Sequence, residues 1–206
     1  MSSYDSFAEI YDEWSAHLTA DVLFYVELAR EAEGPLVELV VGSGRVAIPA
    51  AQETGRTVIG IDSSPAMLAL GRERARAARV ELDLRDRRRV FERVAAALRR
   101  GGRFAWNAFV FDPEIAARHD GVATRHGWLW EYVEHSKGDS RIDVTAFAGE
   151  PGAEPRTVSL WWATLSEWEG LVDVAGLEVE ALYGWFDRRP FDDQSPEFVW
   201  IARWPS

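Results

Sequence analysis

Val37-Glu38-Leu39-Val40-Val41-Gly42-Ser43-Gly44-Arg45-Val46-Ala47 runs from an apolar stretch through two spaced glycines into a helical pattern, and the next apolar stretch, Thr57 to Ile61, ends in Asp62. Glycine has no Cβ and tolerates backbone conformations closed to other residues, so Gly42 and Gly44 are expected to leave backbone amides uncovered where strand becomes helix. Those amides, with the positive end of a helix starting near Arg45, suit an anionic or strongly polar ligand. Asp62 follows Gly42 by about 20 positions, the offset at which an acid meets ribose hydroxyls in nucleotide-binding strand–helix–strand units. The stretch therefore predicts a nucleotide cradle at the carboxyl ends of two neighbouring strands.

The surrounding pattern agrees with a doubly wound sheet. Residues 21–32 carry helical periodicity and stop at Gly34-Pro35, and 36–41 form a strand apolar on both faces except for Glu38, as a buried parallel strand is. Helices are expected at 45–53, at 65–79 behind Ser63-Ser64-Pro65, and at 87–100; strands at 57–61, 80–84 and 103–110. Alternating strand and helix to this point imply a parallel sheet wrapped by helices. From Trp128 the character changes. Residues 128–135, 141–148 and 156–165 read as antiparallel strands joined by turns, followed by a helix at 167–174 and a terminal strand pair at 177–186 and 198–204. Asp112-Pro113 reads as a turn.

Composition narrows the function classes. The chain has 206 residues, 47% of them hydrophobic, a net charge of −11, and no cysteine. That supports one sizeable core, with neither disulfides nor a thiolate metal site. His17, His119, His126 and His135 lack ligand spacing, so no metal is expected. No leader or apolar span is recognised, which predicts a cytoplasmic protein without a membrane partner. Residues 72–103 hold twelve arginines against five acids. They fall on amphipathic patterns whose outer faces must be polar in any case, so nucleic acid is not an expected partner.

With Glu38, Gly42, Gly44 and Asp62 in place, the chain resembles the class I S-adenosylmethionine-dependent methyltransferases, most closely from Glu38 to Leu68. Glu38, Gly42 and Gly44 match the family's acid-x-Gly-x-Gly-x-Gly signature, while Val40 replaces its first glycine. Asp62-Ser63-Ser64-Pro65-Ala66-Met67-Leu68 is similar to the segment after the family's second strand, and Leu98-Arg99-Arg100-Gly101-Gly102 to its Leu-Arg-Pro-Gly-Gly turn. The resemblance implies a Rossmann-like α/β fold, S-adenosylmethionine as cofactor and a small-molecule acceptor at N, O or C. It implies cofactor contacts at Glu38, Gly42, Ser43, Gly44, Asp62, Ser63 and Met67. Asp83 is the candidate for an adenine-contacting acid, and Tyr11, with Trp14, for covering the sulfonium by cation–π contact. No catalytic residue is assigned; Asn107 and Tyr132 are the candidates for touching the acceptor or its leaving proton.

The family pattern also fails at one place. Val80 to Asp86 passes directly into the helical pattern at Arg87, leaving no room for the family's fourth strand and its helix, about 30 residues. The expected fold is thus a mostly parallel sheet shortened by one central strand, with an antiparallel extension. Either the 103–110 strand closes against 37–41, or a second copy fills the gap in a strand-swapped homodimer, since a buried row of unpaired backbone groups is too costly. The chain is read as one domain: a helical cap at 1–35, a cofactor-binding core at 36–112, an aromatic antiparallel sheet or lid at 128–165 and a terminal helix with a strand pair at 166–206. Ten tryptophans, eight of them after residue 127, make that sheet the candidate acceptor wall, with Trp128 and Trp130 sharing a face. Two alternatives stand beside the enzyme: a methyltransferase-like scaffold without turnover, and a nicotinamide oxidoreductase, because Gly42-x-Gly44-x-x-Ala47 also satisfies the dinucleotide fingerprint.

Overall fold

The structure is a computed structural model that describes residues 4–86, 94, 97–149 and 153–205. The chain separates into two compact units, Met1–Val90 and Phe91–Ser206.

The first unit opens with helices α1 (Tyr4–Ser15) and α2 (Ala20–Glu31), then runs β1 (Leu36–Leu39), α3 (Ala47–Thr54), β2 (Val58–Asp62), α4 (Pro65–Ala78) and β3 (Leu82–Asp86). The strands form a parallel sheet in the order β1-β2-β3, with Leu36 opposite Val58 and Ile59 opposite Asp83. Strand and helix alternate because each apolar run is closed by a turn: the one before α3 carries the glycines and has no side-chain cap, and the one before α4 caps its helix. Before α4, Ser64 takes the Met67 amide on its hydroxyl and Pro65 occupies the first turn, where its missing N–H costs nothing. Val26, Ala29, Val41, Ala47, Ala50, Ala51, Val58 and Leu68 make the core between helices and sheet. Alanines on α3 keep that helix close to the strands. The helix read at 45–53 begins instead at Ala47, because residues 42–46 are a turn that carries the glycines.

The helix expected over 87–100, with Val90 and Phe91, lies largely outside the described residues. In the second unit, β4 (Arg103–Phe109) is followed by α5 (Pro113–His119), β5 (Thr124–His126), β6 (Leu129–Ser136), β7 (Arg141–Ala148), β8 (Arg156–Trp161), α6 (Leu165–Val174), β9 (Glu178–Tyr183) and β10 (Glu197–Arg203). Two antiparallel sheets result, β4-β10-β9 and β5-β6-β7-β8. Among the described residues the parallel ladders are therefore confined to three strands, and the antiparallel part is larger than the sequence pattern implied: short connections after residue 120 permit hairpins, which parallel pairing does not. Gly102 turns the chain into β4, and only glycine fits there, because a Cβ would lie 2.8 Å from the Arg99 carbonyl oxygen.

Two readings change in this unit. Asp112-Pro113 is not a plain turn but the start of α5: Asp112 Oδ1 accepts from the Glu114 and Ile115 amides, and Pro113 is the first helical residue. Helix α6 begins two residues earlier than its periodicity suggested, at a capping box in which Thr164 and Glu167 bond each other's backbone. The middle strand β10 is buried from Phe198 to Ala202, as a strand covered on both faces must be.

Candidate functional site

The cradle forms at the carboxyl ends of β1 and β2, where ligands bind in open α/β sheets. Gly42 and Gly44 have φ of 54° and 83°, the left-handed region that glycine enters without cost. Their amides are not left uncovered, as the sequence suggested. The Gly42 N–H donates to Asp62 Oδ2 at 2.8 Å and the Gly44 N–H to the Val41 carbonyl at 2.9 Å. Asp62 Oδ1 accepts the Ser64 amide at 2.8 Å. One carboxylate thus ties the glycine loop to the start of α4, and each of its oxygens keeps a further lone pair for a hydroxyl. A Cβ on Gly42 would meet nothing nearer than 4.0 Å, so space remains beside the loop at that residue.

Beneath the loop lies a buried polar cluster. Burial, the largest influence, pushes the Glu38 carboxyl up to about 8, against which the nearby Arg45 charge and a bond from the Ala47 amide work. Its Oε2 is buried and has no hydrogen-bond partner among the described residues. Arg45, directly after the second glycine, grips Asp21 on α2 with both terminal nitrogens, at 2.8 and 2.5 Å, and donates to the Leu18 carbonyl at 2.7 Å. The bond to Asp21 raises the guanidinium further above its ordinary range. Tyr11 is hydrogen-bonded to Arg45, yet burial still raises its hydroxyl. Burial likewise pushes the Tyr4 hydroxyl up to about 12, helped by Tyr11 and Asp62. Both phenols are therefore neutral donors at neutral pH.

Helix α1 is fastened over the cradle by two aspartates. Asp5 accepts from the Ser64 hydroxyl at 2.7 Å. Asp12 accepts from the Ser43 hydroxyl at 3.2 Å and pairs with Arg74 of α4 at 2.9 Å, while Arg74 also donates to Ser43. These partners were missed in the sequence, although Tyr4-Asp5 and Tyr11-Asp12 repeat seven residues apart, two helical turns, and so share one face. Asp21 and Arg45 carried no comparable signal.

The first unit brings together most of the sequence candidates: Glu38, Gly42, Ser43, Gly44, Asp62, Ser63 and Tyr11. Ser43 is spent on Asp12 and Arg74, and Ser63 is exposed. Met67 is 1% exposed, a core side chain rather than a surface against which a ring could lie in this conformation. Asp83 stands on β3 opposite Ile59; its side chain lies outside the described residues. Trp14 packs edge-on against Phe7, ring centres 5.4 Å apart. In the second unit, Asn107 lies on β4 and donates to Glu197 of β10 at 3.3 Å, whereas Tyr132 lies on β6 opposite Thr145. They belong to different sheets. Trp128 and Trp161 are exposed on the antiparallel part, Trp130 lies under Arg125, and Trp162 stacks on Phe111 at 4.0 Å. Among the described residues no cluster of side chains suits a metal ion, and no helix is long and apolar enough to cross a membrane.

Sheet, glycine loop and acid define a Rossmann-like mixed α/β fold of the methyltransferase kind. Residues 36–90 match the family model described as a methyltransferase domain, the same stretch that builds the cradle. Over the whole chain the fold is similar to that of the CcbJ methyltransferase from Streptomyces caelestis, with 23% identity, 100% of this chain and 99% of that one covered, and a TM-score of 0.79. An S-adenosylmethionine-dependent methyltransferase from Clostridium acetobutylicum gives a TM-score of 0.79 at 12% identity, over 98% and 99% of the two chains. CalS10, an amino pentose methyltransferase from Micromonospora echinaspora solved with its cofactor bound, gives 0.56 at 17% identity, over 89% of each. No curated protein matches the chain in sequence.

Proposed function

We propose that this protein is an S-adenosylmethionine-dependent methyltransferase acting on a small molecule, its single methyltransferase-like domain working in the cytoplasm. The observation that carries the reading is the bond from the Gly42 amide to Asp62, which fixes an acid at the end of β2 beside a glycine loop with no Cβ over it. The residues fit the cofactor: Asp62 has free lone pairs for the ribose hydroxyls, Glu38 has a buried oxygen without a partner for a donor such as the ammonium end, and Tyr11 lies beside the same cluster. Bound there, the cofactor would supply an electrophilic methyl on a sulfonium. The chain's own part is to orient, exclude water and hold a neutral phenol nearby, because an in-line displacement asks mainly for proximity.

Calorimetric titration tests this directly. Micromolar binding of S-adenosylmethionine by the native chain, weakened at least about a hundredfold in Asp62→Ala, is the expected result, a loss of about 2.7 kcal/mol. Absence of heat and of any thermal shift with the native chain refutes it. The acceptor centre is N, O or C. The amino pentose enzyme and the glycopeptide N-methyltransferase among the fold relatives make amines the first acceptors to assay.

A second reading, a scaffold that binds cofactor without turning over, is favoured by one feature. Residues 87–102 separate β3 from β4, and the scaffold reading takes this short connection as a core reduced by one strand and its helix. On this reading a second copy would pair one of its strands along β1 in a strand-swapped homodimer. Light scattering reads this out: a monomer that binds cofactor but methylates nothing supports the scaffold, and a dimer that turns over supports the enzyme.

A further inference from the structure

We infer that Val40 limits this chain's hold on the cofactor, an inference that rests on the proposed function. Val40 follows the last residue of β1 and has φ of 58°. Its neighbours fix that conformation. Leu39, the last residue of β1, is in register with Ile61, and the Val41 amide just beyond the strand donates to the Ile61 carbonyl at 3.0 Å, so Val40 lies between two residues that both meet Ile61 and bends out of the ladder. The bend takes the left-handed form, in which a Cβ crowds the following carbonyl and a β-branched side chain is a true outlier. Val41 cannot relieve the strain by moving, because it is buried in the core. The constraint is thus set by the ladder on one side and the core on the other, and valine is the wrong residue for it.

The same residue projects from the loop. Val40 is 66% exposed, two positions before Gly42 and two after Glu38, whose unpartnered oxygen is the cluster's open valence. Asp62 is bonded to this loop through the Gly42 amide and Tyr11 through Arg45, and glycines at such a turn keep side chains off the backbone a ligand must approach. An isopropyl group at residue 40 opposes that. It adds apolar bulk beside a charged ligand, and its left-handed backbone holds strain at the point where the loop leaves the sheet.

Two variants separate the effects. Val40→Gly removes strain and bulk together; Val40→Ala keeps a Cβ in the left-handed region but trims the bulk. The readouts are unfolding of the ligand-free chain and calorimetric affinity for S-adenosylmethionine. Val40→Gly is expected to raise the ligand-free Tm by about 2–4 °C and to tighten affinity about tenfold, with Val40→Ala intermediate in affinity and near the native Tm. A raised Tm with unchanged affinity overturns Val40 as a cofactor determinant while leaving the strain real. An unchanged Tm overturns the strain on which the inference stands. If neither the native chain nor Val40→Gly binds, the cofactor reading fails first and this inference falls with it.

Discussion

The two units bury polar groups in opposite ways. In Met1–Val90 the buried polar atoms converge on one loop: Asp62 holds two amides, Arg45 holds Asp21, and Ser43 joins Asp12 to Arg74. In Phe91–Ser206 aromatic rings pack among buried aliphatic side chains, with Trp106 stacked on Trp200 at 5.6 Å and beside Trp168 at 6.2 Å. The exceptions differ too. Among the described residues the first unit leaves a carboxylate oxygen of Glu38 and the Arg45 Nε–H without hydrogen-bond partners, and the second leaves the indole N–H groups of Trp106, Trp168 and Trp200 without acceptors. An unpaired indole N–H costs a few kcal/mol at most and is tolerated for the packing its ring brings. A buried carboxylate without a partner shifts its own protonation instead. The first kind of exception accompanies packing in a sheet; the second ties the first unit's stability to pH through Glu38.

The largest expected effect is in the aromatic unit. Trp200 is 1% exposed, so Trp200→Ala is expected to cost about 3–5 kcal/mol in denaturant unfolding. Trp200→Phe is expected to cost less than about 1.5 kcal/mol, because it keeps a ring and deletes the unsatisfied donor. Equal losses for the two would show that the indole N–H is satisfied after all, and would remove half of the contrast. Next comes Glu38. Its folded value near 8 lies above the ordinary 4.5, so between those values the folded chain holds a proton that the unfolded chain has lost. Stability is then full below pH 4.5 and falls as pH rises towards 8, by about 3 kcal/mol between pH 5 and pH 8. Glu38→Gln should flatten this fall; an identical pH dependence in native and variant chains would assign the fall to other groups.

How much of this was legible depended on the type of order. The first unit's sheet followed from Leu36–Val41, Val58–Asp62 and Pro65, since hydrophobic period, a hydroxyl cap and proline are local signals. Asp62 and the glycines were legible for the same reason, being adjacent to their strands. The polar cluster was not. The pairing of Arg45 with Asp21 spans 24 positions and leaves no pattern in either segment. Val40 was visible as a replaced glycine, but only the ladder at Ile61 shows that its backbone must be left-handed. In the second unit the strands were legible from alternation, whereas the start of α5 was hidden because Asp-Pro serves equally as a turn and as a cap followed by a first helical residue.

The finest test of the contrast uses two adjacent tryptophans. Trp161 ends β8 and is 65% exposed, whereas the Trp162 ring stacks on Phe111 with planes 5° apart. Neighbours on an extended chain face opposite ways, so one indole belongs to the packed side and the other to solvent. Trp162→Ser is expected to cost about 2 kcal/mol, from lost stacking and burial. Trp161→Ser should change stability by less than about 0.5 kcal/mol, since little of its ring is withdrawn from water. A sheet that spends an exposed tryptophan without gaining stability keeps it for another purpose, and the acceptor wall proposed from the sequence gives one. If Trp161→Ser leaves unfolding unchanged but raises the KM for the acceptor, the aromatic unit carries function on its surface, as proposed for the first unit's loop. If it changes neither, the aromatic unit is packing alone.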